Sequence, residues 1–391
     1  MLAAVEKALG GRIPVQRFFD LIGADFAEND NDLCIKNKVF VTSTKDGEQR
    51  PTIFTNYIRA NDSDSHTDAP FRPLYDFETL HDKEMQFKVW EVARATSAAP
   101  TYFRSFSKGS SEQYWDGGLC YNNPASVARD EIFKIWPKMM TEHPDVLLSI
   151  GSGYQSTDTK QSQDTTGWWE RITGWVPTPG GMKMLETLKR TLLKNMDSEE
   201  AWRKEAYRYQ QYQARYFRMS PECKVSLPEL DDLKAFDSGM LESLAEEWLK
   251  ESHVLVETLV RRLFATSFYF KSEQKAENTD RGREFSGQIG CRFLDGSDDL
   301  VNFLEALQTR VKVLRFRLEE TQEYLGGFID EALFDTMKKE KVFRFDIDVF
   351  TVPKEFRTFT IVLESDIRGK FPKTPISGCP WKLQEAAAMS L

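Results

Sequence analysis

The hydrophobic patterning of this chain predicts an α/β fold, a mostly parallel sheet with flanking helices, followed by a β-rich C-terminal domain. Three observations carry that expectation. Short apolar runs ending in small residues, at 18–23, 39–42 and 146–153, suit strands covered on both faces. Helical spacing at 84–95 and 124–136 supplies helices between such strands. Beyond about residue 260 the hydrophobic period falls to two, the pattern of half-exposed antiparallel strands.

Taken in order, Leu2 and Leu9 belong to the tail of a helix that Gly10-Gly11 stops. Phe18-Phe19-Asp20-Leu21-Ile22-Gly23 reads as the first buried strand. In the helix at 124–136, Asn123 suits the N-cap and Pro124 the first helical position, where its missing N–H is no loss. Residues 157–181 are polar, then rich in Trp, Pro and Gly without a period, and read as a linker or surface loop. Met184, Leu185, Leu188, Leu192 and Met196 keep helical spacing. Another helix begins near Asp197-Ser198 and carries Trp202 and Tyr209, and Leu241, Leu244, Trp248 and Leu255 continue the pattern. Ile289, Cys291 and Phe293 alternate with their neighbours, as do Phe343, Phe345, Ile347 and Val349, and Phe359, Ile361 and Leu363. Leu304, Leu307, Val311, Leu314 and Leu318 fit a helix, although 311–318 also alternates. The expected boundaries are 1–156, 157–254 (linker and helices) and 255–391 (β-rich).

A length of 391 residues allows one to three domains, and 40% hydrophobic content with 28 Phe and 9 Trp indicates globular rather than disordered chain. A net charge of -9 with interspersed Lys and Arg argues against nucleic acid or an anionic membrane surface as an electrostatic partner. Five widely spaced cysteines without a Cys-x-x-Cys indicate neither a zinc site nor a disulfide framework, so no metal and no cofactor are expected. Reduced thiols, no signal peptide and no membrane-length apolar run lead to an expected cytoplasmic location.

The stretch that carries chemistry is Trp115-Asp116-Gly117-Gly118, followed by Asn122-Asn123-Pro124 and preceded by Ala93-Arg94-Ala95-Thr96-Ser97-Ala98-Ala99-Pro100-Thr101-Tyr102-Phe103. A carboxylate on a rigid loop can serve as general base to a serine hydroxyl. Gly117 and Gly118 suit the tight turn this requires, because glycine tolerates positive φ. Tyr102, Phe103 and Trp115 are either an apolar acyl-binding wall or core around a buried loop. Ser97 is read as a wall residue rather than a substitute nucleophile. Ser152, in Gly151-Ser152-Gly153, reads as a tight turn, the alternative being a phosphate or acyl site at a strand end. His143-Pro144 reads as a turn.

These segments, in this order and spacing, resemble the patatin-like phospholipase family. The likeness continues through Ser149–Gly153 positions 149–153, Arg215-Tyr216-Phe217-Arg218-Met219 and Leu227-Pro228-Glu229-Leu230-Asp231-Asp232. Ala265-Thr266-Ser267-Phe268-Tyr269-Phe270 and Pro375-Ile376-Ser377-Gly378-Cys379-Pro380 look like fungal-type members with a β-rich C-terminal extension. The resemblance implies hydrolysis of phospholipid or acylglycerol esters by a Ser-Asp dyad, with Asp116 as base and no metal. It also implies a lipid or acyl ester partner and transient contact with a membrane or lipid-droplet surface. The nucleophile does not carry over: no Gly-x-Ser-x-Gly occurs in the chain. The strand at 19–23 leads into Gly23-Ala24-Asp25-Phe26-Ala27, with Asp25 in the serine register and Ala27 replacing the second glycine. A parallel crossover needs roughly a dozen residues or more, and the span from Gly23 to Val39 leaves little room for elbow and helix. Deletion near Gly23 is the simplest account. The glycine-rich oxyanion loop is absent too, since Gly10-Gly11-Arg12 lies too close to the strand and reads as a helix stop. The expected outcome is a catalytically incomplete relative, the alternative being a non-catalytic lipid-binding or protein-interaction module.

Overall fold

The computed structural model describes residues 38–45, 50–57, 59, 74–78, 87–99, 102–109, 112–136, 143–154, 198–223, 239–273, 276–366 and 371–383. The chain divides into two compact units. One comprises 1–143, 149–213 and 218–229, the other 144–148, 214–217 and 230–391.

The first unit is organised on a five-stranded sheet. β1 (Phe40–Lys45) and β2 (Arg50–Thr55) pair antiparallel, with Phe40 opposite Thr55 and Lys45 opposite Arg50. β3 (Asp76–Glu78) lies parallel beside β2. On the other side of β1 comes β5 (Glu112–Asp116) and then β4 (Phe106–Lys108), both antiparallel, giving the order β3-β2-β1-β5-β4. The described sheet is therefore mixed, with β2–β3 its parallel pairing, and this corrects the mostly parallel expectation. The physical reason is connection length: β1–β2 and β4–β5 are joined by a few residues, which permit a hairpin but no parallel crossover. The apolar run at 39–42 does reflect cover on both faces. Phe40 packs with Ile53, Tyr75 and Val127, while Val39 and Val41 pack against Phe54, Phe87, Val92 and Tyr114. Continuous apolarity reports two covered faces, and strand direction is independent of it. The expected strand at 18–23 and its continuation through Asp25 lie outside the described residues, as do the linker at 157–181 and the helix at 184–196.

Among the described residues, three helices pack around this sheet. α1 (Val89–Thr96) starts where Glu91 Oε2 accepts the Lys88 backbone N–H at 2.6 Å. α2 (Gly118–Tyr121) is a single turn, and α3 (Ala125–Ile135) follows it. Pro124, at φ -83° and ψ 18°, is the N-cap of α3 rather than its first residue, and Asn123 Oδ1 still accepts the Ala125 N–H at 3.2 Å. One buried carboxylate ties α3 to the β2 end. Glu131 accepts from Arg59 at 2.7 and 3.1 Å, from Tyr57 at 2.9 Å, and from Tyr75 and Lys134. Burial pushes the Glu131 carboxyl up, but the bonds and charges of Arg59, Tyr75 and Lys134 outweigh it and hold the pKa below the ordinary value.

β6 (Leu147–Ile150) pairs with β7 (Tyr216–Met219), and α4 (Ser198–Arg208) contains Trp202 of the expected helix, with Tyr209 just beyond it. In the second unit, α5 (Met240–Glu251) and α6 (His253–Thr266) precede the strands. β8 (Phe268–Ser272), β9 (Glu277–Asn278), β10 (Gly282–Cys291) and β13 (Phe345–Pro353) form one sheet. β11 (Val313–Leu318), β12 (Tyr324–Ile329), β15 (Ile361–Asp366) and β16 (Phe371–Pro375) form another, and β14 (Thr358–Phe359) pairs with β17 (Trp381–Lys382). α7 (Asp298–Gln308) is capped by Ser297, which accepts the Leu300 N–H at 3.2 Å, and α8 (Glu331–Glu340) by Asp330, which accepts the Leu333 N–H at 3.0 Å.

The alternation expected here is present, with three corrections. The helical reading of Val311, Leu314 and Leu318 gives way to β11, whose Leu314, Phe316 and Leu318 are fully buried. Val349 is 63% exposed although Ile347 and Phe350 are buried, because three steps on β13 oppose two on β10 between Phe285 and Gly287. That bulge flips the face of every later residue. Val362, expected outward, is buried too, so β15 is covered on both faces. Among the described residues no helix is long and apolar enough to cross a membrane.

Candidate active site

Asp116 is the last residue of β5, opposite Ser43 of β1. Its loop is held by backbone and hydroxyl groups from two neighbouring elements. The Asp116 and Gly117 N–H groups donate to Ala98 and Thr96 carbonyls, both at 3.2 Å, which joins the loop to the end of α1. Ser43 Oγ donates to the Trp115 carbonyl at 2.7 Å and Thr44 Oγ1 to the Asp116 carbonyl at 3.0 Å. Thr96 Oγ1 donates to the Thr42 carbonyl at 2.7 Å, closing the frame. The two segments singled out in the sequence, 93–103 and 115–124, are thus brought together.

The glycines act differently from expectation. Gly117 has φ -66° and ψ -27°, ordinary helical values, so the turn does not use glycine's access to positive φ. A Cβ at Gly117 would stand 2.3 Å from the Thr42 carbonyl oxygen and 2.4 Å from Thr42 Oγ1. Glycine is required there by the approach of two backbones. A Cβ on Gly118 would meet Asp116 Oδ1 at 2.9 Å. Its absence lets the Gly118 N–H donate to that oxygen at 2.6 Å, aiming the carboxylate.

Burial pushes the Asp116 carboxyl above its ordinary pKa, and the Gly118 N–H partly opposes this. A raised pKa makes the carboxylate a stronger base, and a hydroxyl at about 2.6–3.2 Å is what it would need to act on. Among the described residues its carboxylate accepts from Gly118, and no serine hydroxyl is bonded to it. Ser97 Oγ donates instead to the Ala93 carbonyl at 2.7 Å, and Ser152 is exposed. The His143 ring stacks on Tyr212 with centroids 3.5 Å apart. Gly23, Asp25 and Ala27 lie outside the described residues. No three His, Cys, Asp or Glu side chains among the described residues gather as a metal-ligand cluster.

Tyr102 and Phe103 are 37% and 41% exposed, so they are surface residues of this unit rather than its core, and Phe103 lies beneath the Arg94 guanidinium at 5.5 Å. Trp115 is half-buried. The two-residue period of β5 sends it to the sheet face opposite Tyr114 and Asp116.

Sequence reading missed the polar frame after the Asp loop. Buried Asn123 donates to the Ser198 carbonyl at 3.1 Å and accepts from Ser149 Oγ at 3.2 Å. Ser149 Oγ in turn accepts from Arg218 at 2.8 Å, whose Nη2 pairs with Glu199 at 2.5 Å. A Cβ on Gly151 would meet Arg218 Nη2 at 2.6 Å, so that glycine makes room for the guanidinium. The one sequence signal was a charged residue beside buried Tyr216 and Phe217.

These features define an α/β domain that presents a loop carboxylate from a sheet-strand end. Residues 10–129 match the family model described as patatin-like phospholipase. A calcium-independent phospholipase A2-gamma of Mus musculus is 38% identical over 81 residues, covering 21% of this chain and 10% of the relative. Phospholipase A I of Arabidopsis thaliana is 26% identical over 316 residues, 74% of this chain and 22% of the relative. A cGAMP-activated phospholipase of Vibrio cholerae is 37% identical over 78 residues, 19% of this chain and 21% of the relative. The chain thus matches about a fifth or less of the length of each.

Proposed function

We propose that this chain is a lipid acyl hydrolase relative that keeps the base of a Ser-Asp dyad, Asp116, and lacks the nucleophile. The observation that carries this is the Asp116 loop, whose carboxylate is aimed by the Gly118 N–H and made more basic by burial. It stands in a chain whose serine register holds Asp25. The substrate class is an ester of a phospholipid or acylglycerol, met at a membrane or lipid-droplet surface; the relatives' names support the phospholipid. In the complete dyad the carboxylate takes the serine proton as the hydroxyl attacks the acyl carbonyl, forming an acyl-enzyme that water hydrolyses. Loss of a nucleophile lowers turnover by roughly 10⁶-fold, so the purified chain should leave p-nitrophenyl acyl esters at background and resist a fluorophosphonate probe. Probe labelling at Ser97 or Ser152, abolished by Asp116→Asn, would overturn this and reveal a relocated dyad. Asp25 also favours a second reading, a non-catalytic lipid-binding or interaction module, which predicts lipid binding without turnover.

A further inference from the structure

The second unit contains a pocket of about 560 Å³, within the roughly 300–1,000 Å³ of small-ligand sites. One wall is a stripe of α6, where Val260, Leu263 and Phe264 share a helical face. Phe293 and Phe303 also line it, their rings stacked with centroids 4.6 Å apart, and Phe264 meets Phe303 at 5.6 Å. Leu263 is 46% exposed, a large apolar group left to solvent at the opening.

Arg292 lines the same pocket with a side chain 59% exposed. Its Nη2 donates to Ser377 Oγ and to Asp145 Oδ2 at 3.3 Å, which holds the planar group in place. Nε and Nη1 have no hydrogen-bond partner among the described residues, so single N–H groups on different sides of the guanidinium remain able to donate. Behind it lies a second cation. Arg262 is 4% exposed, donates to the Asp145 and Pro375 carbonyls at 3.0 and 3.1 Å, and has a buried Nη2 without a partner. Burial, and then the charge of Arg215, lower its pKa to about 10. Arg262 and Arg292 thus both lie beside Asp145, two cations to one carboxylate among the described residues at an apolar cavity.

We propose that this pocket binds a long-chain fatty acid, with a free N–H of Arg292 donating to the carboxylate and Leu263, Phe264, Phe293 and Phe303 covering the chain. A hydrogen bond from a guanidinium to a carboxylate is charge-assisted and roughly twice as strong as a neutral one, and the aromatic walls shield the chain from water. The choice of an acyl carboxylate rests on the reading of the chain as a lipid acyl hydrolase relative, since such hydrolysis releases one. The binding itself requires no turnover.

The test is titration of the full chain with oleate below its micelle concentration, by displacement of a fluorescent fatty-acid analogue, with oleyl alcohol as the neutral arm. Arg292→Gln should weaken oleate about tenfold or more and leave oleyl alcohol unchanged. Leu263→Trp, at an exposed position that tolerates bulk, should weaken both by filling the opening. Asp116→Asn should alter neither, so failure here is separable from failure of the proposed dyad. Absence of oleate binding, or oleate binding unchanged by both pocket variants, would overturn the proposal. A lysophosphatidic acid that binds tenfold tighter than oleate would overturn the carboxylate assignment.

Discussion

Gly117→Ala tests whether the Asp loop depends on backbone approach or on backbone conformation. At φ -66° alanine is conformationally welcome, and its smaller unfolded-state entropy alone would stabilise by about 0.4–1 kcal/mol. The added methyl, however, falls 2.3 Å from the Thr42 carbonyl oxygen and 2.7 Å from its carbon, atoms of β1 that cannot rotate away. Overpacking of this kind costs about 1–3 kcal/mol. Shifting Thr42 also strains the Thr96 Oγ1 bond to its carbonyl, worth about 1 kcal/mol. The net expectation is a loss of about 2 kcal/mol, confined to the sheet that holds Asp116. Hydrogen exchange read by mass spectrometry should show reduced protection in peptides covering 40–45 and 112–118. Gly118→Ala meets a movable carboxylate instead and should cost less, about 1 kcal/mol, through loss of the bond to Asp116 Oδ1. Unchanged protection in Gly117→Ala, or a larger loss in Gly118→Ala, would refute the reasoning.

Other substitutions probe the electrostatics and the strand register. The folded pKa of Asp116 is raised, so the stability it contributes is present below the ordinary carboxylate value of about 3.9 and lost as pH rises through the folded pKa. Asp116→Asn should therefore melt higher than the parent at pH 7, with the gap closing below that value; equal melting temperatures at both pH values would count against it. Glu131 has the opposite sign: its lowered pKa means its contribution persists above about 4.3 and fades on acidification through the folded pKa. Glu131→Gln leaves buried Arg59 without its carboxylate and should cost about 3–5 kcal/mol by thermal unfolding, a loss under 1 kcal/mol being the contrary result. Ile347→Ala should cost about 2–5 kcal/mol, while Val349→Ala stays within about 0.5 kcal/mol, because the bulge turns Val349 outward. Similar costs at both positions in urea unfolding would restore strict alternation.

What the sequence determined by itself was local. Period-two runs located β13 and β15, helical spacing located α3 and α4, and the Asp-Gly-Gly and Ala93-to-Phe103 segments marked out the pair that meets at Asp116. Burial imprints a period on the chain wherever one face of an element is covered, and so these features can be read residue by residue. Tertiary structure alone decided the rest. Strand direction in the first sheet followed from hairpin connections, which apolar content does not encode. The function of Gly117 became visible only when Thr42, far away in sequence, arrived beside it. The partners of Glu131 stand 56 to 74 residues away, apart from Lys134. Val349 reads as inward until a bulge in one strand shifts its register against another. Each depends on a pairing between distant segments, and no local period carries information about a partner that is not yet there.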